Sequence, residues 1–186
     1  MHDFLEYVKL DPYFRKYNHN RLTFGMTYAY SEKFILVLSH DEVVHLKCSM
    51  LGKMPGEYED KFANLKVAYT FMMGHPGKKL LFMGQDFGQW SEWSEKRSLV
   101  WYLLGEPEHK GLWAYFKALL HIYRKYPACY ALDQYPEGFF WINADDGDRS
   151  IYSFVRCSED GKDNLLFVCN FTPVARPDYM VGVPQA

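Results

Sequence analysis

The sequence of 186 residues has little net charge, with a formal value of −2. It therefore lacks the basic patch expected of a nucleic-acid-binding protein and the polybasic segment expected at a membrane surface. No apolar run approaches the ~20 residues needed to span a bilayer. The first four residues carry neither the basic nor the apolar part of a signal peptide. We therefore expect no nucleic-acid or membrane partner.

Cysteine is sparse and scattered, and no C-x-x-C pair occurs. A zinc ribbon or a thiol redox motif is therefore not expected, and no metal or organic cofactor is predicted. Reduced thiols in a cytoplasmic protein are the simplest interpretation. The four residues are Cys48, Cys129, Cys157 and Cys169.

Aromatic residues, in contrast, make up 18% of the chain, with 15 Tyr and 5 Trp. Packing in the core explains most such residues, because aromatic side chains bury a large area. Carbohydrate binding is the functional alternative, since the C–H faces of sugar rings lie well on aromatic rings. Composition alone favours packing.

The first two thirds of the chain alternate short apolar runs with helical patterns. The run at Phe34–Leu38 is rich in β-formers and predicts a strand buried on both faces of a parallel sheet. A short helix is predicted before Asp11-Pro12, and an irregular, partly extended segment over 22–30. The remaining elements are a helix at 61–73, a strand at 79–83 and a helix at 112–126. This strand–helix order is typical of α/β proteins.

After Pro127 the pattern changes to short strands separated by turn residues, which indicates an antiparallel all-β region. A domain boundary is therefore expected near 128–136. The predicted strands are 139–143, 151–156, 165–170 and 179–183.

The polar segment Ser39–His45 follows the first strand directly. In barrels and open α/β sheets the carboxyl ends of the strands carry the chemistry, and Asp41 beside His40 suits acid–base, electrostatic or sugar-hydroxyl work. Two alternatives remain from the residues alone. One is a metal site with His45 and Cys48; the other is a capping turn in which Ser39 or Asp41 is the N-cap.

Two further loops are weaker candidates. Gly84–Trp90 follows the second strand, and Gly52–Tyr58 contains a single basic residue. A satisfied turn with packed aromatics explains either of them equally well.

Longer strings carry a resemblance to a known family. LSHDEVVH, KMPGEYEDKFANLK and GHPGKKLLFMGQDFGQWSEW closely resemble bacterial-type 1,4-α-glucan branching enzymes, which belong to the α-amylase superfamily of retaining glycoside enzymes. The opening MHDFLEYVKLDPYFRKYNHNRLTFGMTY and the later LDQYPEGFFWINADD and VCNFTPVARPDYMVGVP resemble the same family. The resemblance covers essentially the whole chain.

The resemblance implies the C-terminal portion of a (β/α)8 TIM barrel followed by the start of an antiparallel β-sandwich domain. Residues 1–130 would supply the seventh and eighth barrel strands with their helices, and 131–186 a truncated β-domain. The chain would begin after the sixth barrel strand. Open sheet edges are then expected, and with them self-association of the isolated chain.

The resemblance also implies site residues. Asp41 falls on the family's third catalytic carboxylate, which stabilises the transition state, and His40 on a histidine that binds the sugar at the cleavage subsite. Tyr58, Trp90 and Trp93 are weaker predictions of contacts with α-1,4-glucan. The nucleophile and the general acid/base belong to earlier strands, so we expect the isolated chain to be inactive.

Four residues depart from the family pattern. Leu46 stands in place of a usual Gly, Gln85-Asp86 in place of Asn-Glu, and Val100 in place of Asp. Leu46 is expected to crowd a tight turn, because Gly tolerates backbone angles that Leu does not. Two alternatives to branching remain: another activity of the superfamily, such as a trehalose-forming hydrolase or an amylase, and a non-catalytic glucan-binding module.

Overall fold

A computed structural model describes residues 2–184. Its first part is a series of short helices connected by single turns. Asp11 caps the second helix by accepting a hydrogen bond from the Tyr13 N–H at 2.8 Å, and Pro12 occupies the first helical turn, where its missing N–H costs nothing. The helices are α1 (His2–Lys9), α2 (Pro12–Arg15) and α3 (Asn20–Thr23).

The extended character expected for 22–30 is wrong. The chain there continues from α3 into a 3-10 turn at Phe24–Thr27. The hydroxyls of Thr23 and Thr27 donate to the carbonyls of Asn20 and Phe24, three residues back. These local bonds stabilise helical turns in a segment whose aromatic and Thr content predicted an extended one.

Two short parallel strands, β1 (Ile35–Leu38) and β2 (Lys78–Leu81), pair in register, with Ile35 opposite Lys78 and Leu38 opposite Leu81. The prediction that the first strand is buried on both faces is wrong. Only Leu38 is buried, and Ile35 is 55% exposed. The reason is that each strand has one hydrogen-bonded neighbour within 2–184, so the outer edges lack the cover that a larger parallel sheet supplies.

The connection between β1 and β2 contains α4 (Met50–Lys53) and the long helix α5 (Tyr58–Gly74). A capping box starts α5. The Glu57 side chain accepts from the Asp60 N–H, and the Asp60 side chain accepts from the Glu57 N–H at 3.1 Å. The helix therefore begins three residues before its predicted start. A second long helix, α6 (Pro107–Lys125), follows β2.

The C-terminal region forms a three-stranded antiparallel sheet in the order β3 (Phe139–Asp146), β4 (Ile151–Arg156) and β5 (Leu165–Asn170). All six residues of β4 are buried. The strand predicted at 179–183 is wrong, since the structure shows no strand there. Instead, the Tyr179 N–H donates to the Arg176 carbonyl across Pro177, in a turn without a partner strand.

One continuous core joins these parts. Tyr7 of α1 contacts Tyr152 of β4 and Phe171, with ring centroids 5.9 Å and 5.4 Å away. The buried guanidinium of Arg15 donates to the carbonyls of Phe171 at 2.6 Å and Val8 at 2.9 Å. Aromatic packing and the hydrogen bonds of a buried cation therefore cross the predicted boundary near residue 130.

Within residues 2–184, no helix is both long enough and apolar enough to cross a membrane.

Candidate functional site at the ends of the parallel strands

The carboxyl ends of β1 and β2 lie side by side, and each continues into a polar loop. The Phe82 N–H donates to the Leu38 carbonyl at 3.0 Å, which extends the pairing past the strand ends. The side-chain amide of Gln85 donates to the same carbonyl at 3.3 Å. The predicted loops after the two strands are therefore in direct contact, as the parallel pairing requires.

His40 and Asp41 form a close pair on a single 3-10 turn, His40–Glu42, directly after β1. The Nε2 of His40 lies 3.2 Å from the Oδ1 of Asp41. Their side chains are 53% and 66% exposed, so both can reach a ligand. The Ser39 hydroxyl donates weakly to the other carboxylate oxygen at 3.4 Å.

The capping alternative fails for this turn. Ser39 occupies the N-cap position, but its side chain accepts no backbone hydrogen bond there. The Asp41 carboxylate interacts with the His40 ring and the Ser39 hydroxyl. The metal alternative also finds no support, because no group of three or more His, Cys, Asp or Glu side chains suited to a metal ion occurs between residues 2 and 184.

Aromatic rings pack around His40. Its ring centroid lies 5.7 Å from Phe82 and 6.2 Å from Trp93, and these two rings pack edge to face at 5.2 Å. The Trp93 N–H also donates to the Val43 carbonyl at 3.0 Å. Trp93 is therefore fixed beside the predicted site by ring packing and by a backbone bond.

Tyr58 and Trp90 form a second aromatic pair, with centroids 6.2 Å apart. Both side chains are about half exposed. Tyr58 packs against Phe62 and His109, with ring centroids 5.1 Å and 6.3 Å away. The Nδ1 of the buried His109 donates to the Phe87 carbonyl at 2.8 Å. The structure thus joins Trp93 to His40 and Trp90 to Tyr58.

Sequence reasoning missed the charged side chains that hold the loop after Asp41. The Glu92 carboxylate accepts from the N–H groups of Leu46 at 3.2 Å and Cys48 at 2.7 Å. The Lys53 ammonium donates to the carbonyls of Glu42 at 2.5 Å and Cys48 at 2.8 Å. Glu92 is 44 residues or more along the chain from these amides, so no local pattern could reveal the contact.

The same loop has an unusual backbone. His45, Leu46 and Cys48 have φ values of 54°, 65° and 66°, in the left-handed region. For residues with a Cβ atom this conformation costs roughly 1 kcal/mol or more each. The expectation that Leu46 meets a tight turn is confirmed, since the backbone there has the geometry that Gly adopts without strain.

The departures at 85, 86 and 100 have structural surroundings. The Gln85 side chain is buried, and its backbone carbonyl accepts from the buried Tyr69 hydroxyl at 2.9 Å. Burial raises the pKa of the Asp86 carboxyl. The Val100 N–H donates to the side-chain oxygen of Gln89 at 3.0 Å. Gln85 and Val100 therefore fix the loop after β2 through hydrogen bonds of their backbone groups.

The opposite end of the strand pair is a buried cationic region. Arg156 donates to the carbonyls of Gly74 at 2.9 Å and Gly138 at 3.0 Å and to the Asp133 carboxylate at 2.8 Å. Burial lowers the pKa of His75 to about 4 and that of Lys79 to about 7. Lys78 of β2 also donates to Asp133, at 3.1 Å, so this carboxylate links the parallel pair to the antiparallel sheet.

The C-terminal part of the chain matches a family of β-domains. The family model described as the alpha amylase C-terminal all-beta domain matches residues 141–186. That range contains most of the antiparallel sheet, which agrees with an all-β region after the α/β part.

Individual proteins match nearly the whole of this chain. The chain is 62% identical to a protein of Butyrivibrio fibrisolvens over 99% of the chain, 52% identical to one of Aquifex aeolicus over 100%, and 51% identical to one of Gloeobacter violaceus over 98%. Each is named 1,4-alpha-glucan branching enzyme GlgB. The chain spans 29%, 29% and 25% of their lengths. Over nearly its whole length the chain is therefore similar to proteins named 1,4-alpha-glucan branching enzyme, and it spans between a quarter and a third of their length.

Proposed function

We propose that this chain is part of a branching enzyme. The enzyme cleaves α-1,4-glucan and transfers the released segment to a sugar 6-hydroxyl, which forms α-1,6 branches in glycogen biosynthesis. The observation that carries the proposal is the exposed His40–Asp41 pair, 3.2 Å apart at the end of a parallel strand. Its support is identity of 51 to 62% to proteins named for that activity.

In this proposal Asp41 stabilises the positive charge that develops on the reacting sugar ring. A fixed carboxylate accelerates the reaction if its interaction is stronger in the transition state than in the ground state. His40 donates a hydrogen bond to the same sugar. The neighbouring Asp41 carboxylate and the rings of Phe82 and Trp93 fix the orientation of the imidazole.

Trp93, Tyr58 and Trp90 are proposed to contact further glucose units of the glucan. The support is their position on the loops around the strand ends and the exposure of Tyr58 and Trp90. Flat aromatic rings suit the C–H faces of sugars. The packed contacts of Trp93 with His40 also give it a structural role.

The proposed architecture is that of the family. Residues 1–130 form the end of a (β/α)8 barrel, with β1 and β2 as its last two strands, and 131–186 form part of a β-sandwich. Retaining enzymes need a nucleophile and a general acid/base about 5–5.5 Å apart. We propose that both come from the part of the longer relatives that this chain does not span.

The chemistry then balances over two steps. In the first step the nucleophile bonds to the anomeric carbon, and the bond from that carbon to the 4-oxygen breaks as the acid protonates the departing oxygen. In the second step the acceptor 6-oxygen bonds to the same carbon, the glycosyl–enzyme bond breaks and releases the nucleophile carboxylate, and the former acid, now a base, takes the hydroxyl proton. A cytoplasmic location is proposed as well, because the four cysteines are free thiols.

Iodine staining of amylose tests the division of catalytic residues. The purified 186-residue chain should leave the iodine colour unchanged, as should Asp41→Asn. Loss of colour with the wild-type chain and not with the variant would mean that the catalytic groups lie within these residues. Reducing ends released in that case would favour a hydrolase over a branching enzyme.

Calorimetric titration with maltoheptaose tests the site itself. The wild-type chain should bind, and Asp41→Asn should bind more weakly. Asp145→Asn, which alters an exposed carboxylate of β3, is the matched control and should bind like the wild type. Equal affinity of all three chains would contradict the placement of the sugar beside Asp41.

A further inference from the structure

Leu46 combines two unfavourable features. Leu46 is 95% exposed, the largest exposed fraction among the large apolar residues between 2 and 184. Its backbone lies in the left-handed region, with φ 65°. Neither feature helps the fold, because no apolar area is buried in return for the strained backbone.

The strained loop is nevertheless held firmly. Glu92 accepts from the N–H groups on both sides of Lys47, at Leu46 and Cys48. Lys53 donates to the carbonyls of Lys47 and Cys48. Two charged side chains from different elements therefore bind the loop through its own backbone groups, as charge-assisted hydrogen bonds.

The loop is also tied to the candidate site. The ammonium group of Lys47 donates to the backbone carbonyl of Asp41 at 2.7 Å. The Lys47 N–H donates to the Val44 carbonyl at 3.2 Å, which closes the turn between them. These two bonds tie the loop that carries Leu46 to the backbone of Asp41, five residues earlier in the chain.

Strain that the surrounding structure maintains is concentrated at binding and catalytic sites. An apolar side chain fixed at the rim of a sugar site offers a surface to the C–H face of a glucose ring. We propose that Leu46 contacts the glucan bound at His40–Asp41 and thereby strengthens its binding, with Glu92 and Lys53 as positioning residues. This inference rests on the function proposed above.

Methyl and imidazole NMR signals of the 186-residue chain separate the two proposals. On titration with maltoheptaose, the His40 ring and the Leu46 methyl groups should both shift. A shift at His40 without one at Leu46 would overturn the role of Leu46 and leave the site intact. No shift at either residue would overturn the proposed site and, with it, this inference.

Variants at position 46 separate contact from strain. Leu46→Gly relieves the backbone and removes the side chain, so the melting temperature should hold or rise while maltoheptaose binds about fivefold more weakly. Leu46→Met keeps an apolar side chain and should bind like the wild type. Met180→Ala removes another highly exposed apolar side chain, 92% exposed, and is the control. Unchanged affinity of Leu46→Gly would refute the contact.

Variants at position 92 test positioning. Glu92→Ala should speed amide hydrogen exchange at Leu46 and Cys48 and weaken maltoheptaose binding. Glu92→Gln keeps an acceptor oxygen and should restore part of both. Fast exchange with unchanged binding would show that the fixed loop is irrelevant to glucan and would overturn the positioning role.

Discussion

The two sheets of this chain differ in how completely they are covered. In the antiparallel sheet every residue of β4 is buried between β3, β5 and the core. In the parallel pair, β1 buries only its last residue fully. The difference teaches that β4 obtains its neighbours from nearby sequence, whereas parallel strands need distant crossovers to supply theirs.

The largest expected effect is at Arg156, the buried cation at the end of β4. Arg156→Met should lower the free energy of unfolding by about 3–5 kcal/mol, because it leaves two buried carbonyls without a donor and the Asp133 carboxylate with only the partly exposed Lys78 as its partner. Urea denaturation measures the change.

Arg149→Met is the control for that experiment. The Arg149 side chain is 55% exposed and pairs at 3.3 Å with Asp146, which also accepts from the Tyr179 hydroxyl, so loss of Arg149 should cost less than about 1 kcal/mol. Equal losses for the two variants would mean that the antiparallel sheet does not depend on its buried cation.

A smaller effect is expected at Gly74, where α5 meets the sheet. An added Cβ atom would lie 2.7 Å from the ring of Phe167 and 2.9 Å from that of Phe154. Gly74→Ala should therefore destabilise the protein by about 1–3 kcal/mol through overpacking.

Gly111→Ala in α6 should change the stability in the opposite direction, because position 111 faces open space. Apart from its chain neighbours and the backbone of α6 itself, no atom lies within 4 Å of the added Cβ. Stability should rise by up to about 1 kcal/mol, the difference in helix propensity. Thermal melts of both variants decide the point, and a stabilised Gly74→Ala would show that the helix–sheet packing is loose.

The smallest effect on stability belongs to the parallel pair. The isolated chain is expected to self-associate through the uncovered edge of β1, and Ile35→Lys should weaken that association by about tenfold, since a charged side chain blunts an exposed edge. The free energy of unfolding should change by less than about 0.5 kcal/mol.

Sedimentation velocity over a concentration series measures the association. Thr172→Lys, a charge added beyond the end of β5, should leave it unchanged. A wild-type chain that is monomeric at every concentration would contradict the expectation of association through open edges.

Local signals explain which elements the sequence could predict. The strands at 151–156 and 165–170 were predicted to the residue, because Asp-Gly turns bound each of them. The strand predicted at 179–183 failed, since an apolar run forms a strand only where a partner is present. The prediction that β1 is buried is wrong for a related reason. The layers that cover a parallel strand come from residues distant in sequence.

The candidate site was partly predictable for the same reason. His40 and Asp41 are adjacent in sequence and follow a strand, so their proximity could be foreseen. The contacts of Glu92 with Leu46 and Cys48, and of Lys53 with the same loop, depend on how two strand-end loops meet in space. No spacing rule predicts such contacts.

The stack of His19 on Tyr152 has a consequence for how such a protein can be recombined. The two rings lie 4.0 Å apart and nearly parallel, and the Tyr152 hydroxyl donates to the His19 carbonyl at 2.8 Å. A crossover near residue 130 between two related genes would separate these partners and those of Arg15. Hybrid proteins with a junction there are therefore expected to fold only when both source proteins have the same residues at these contacts.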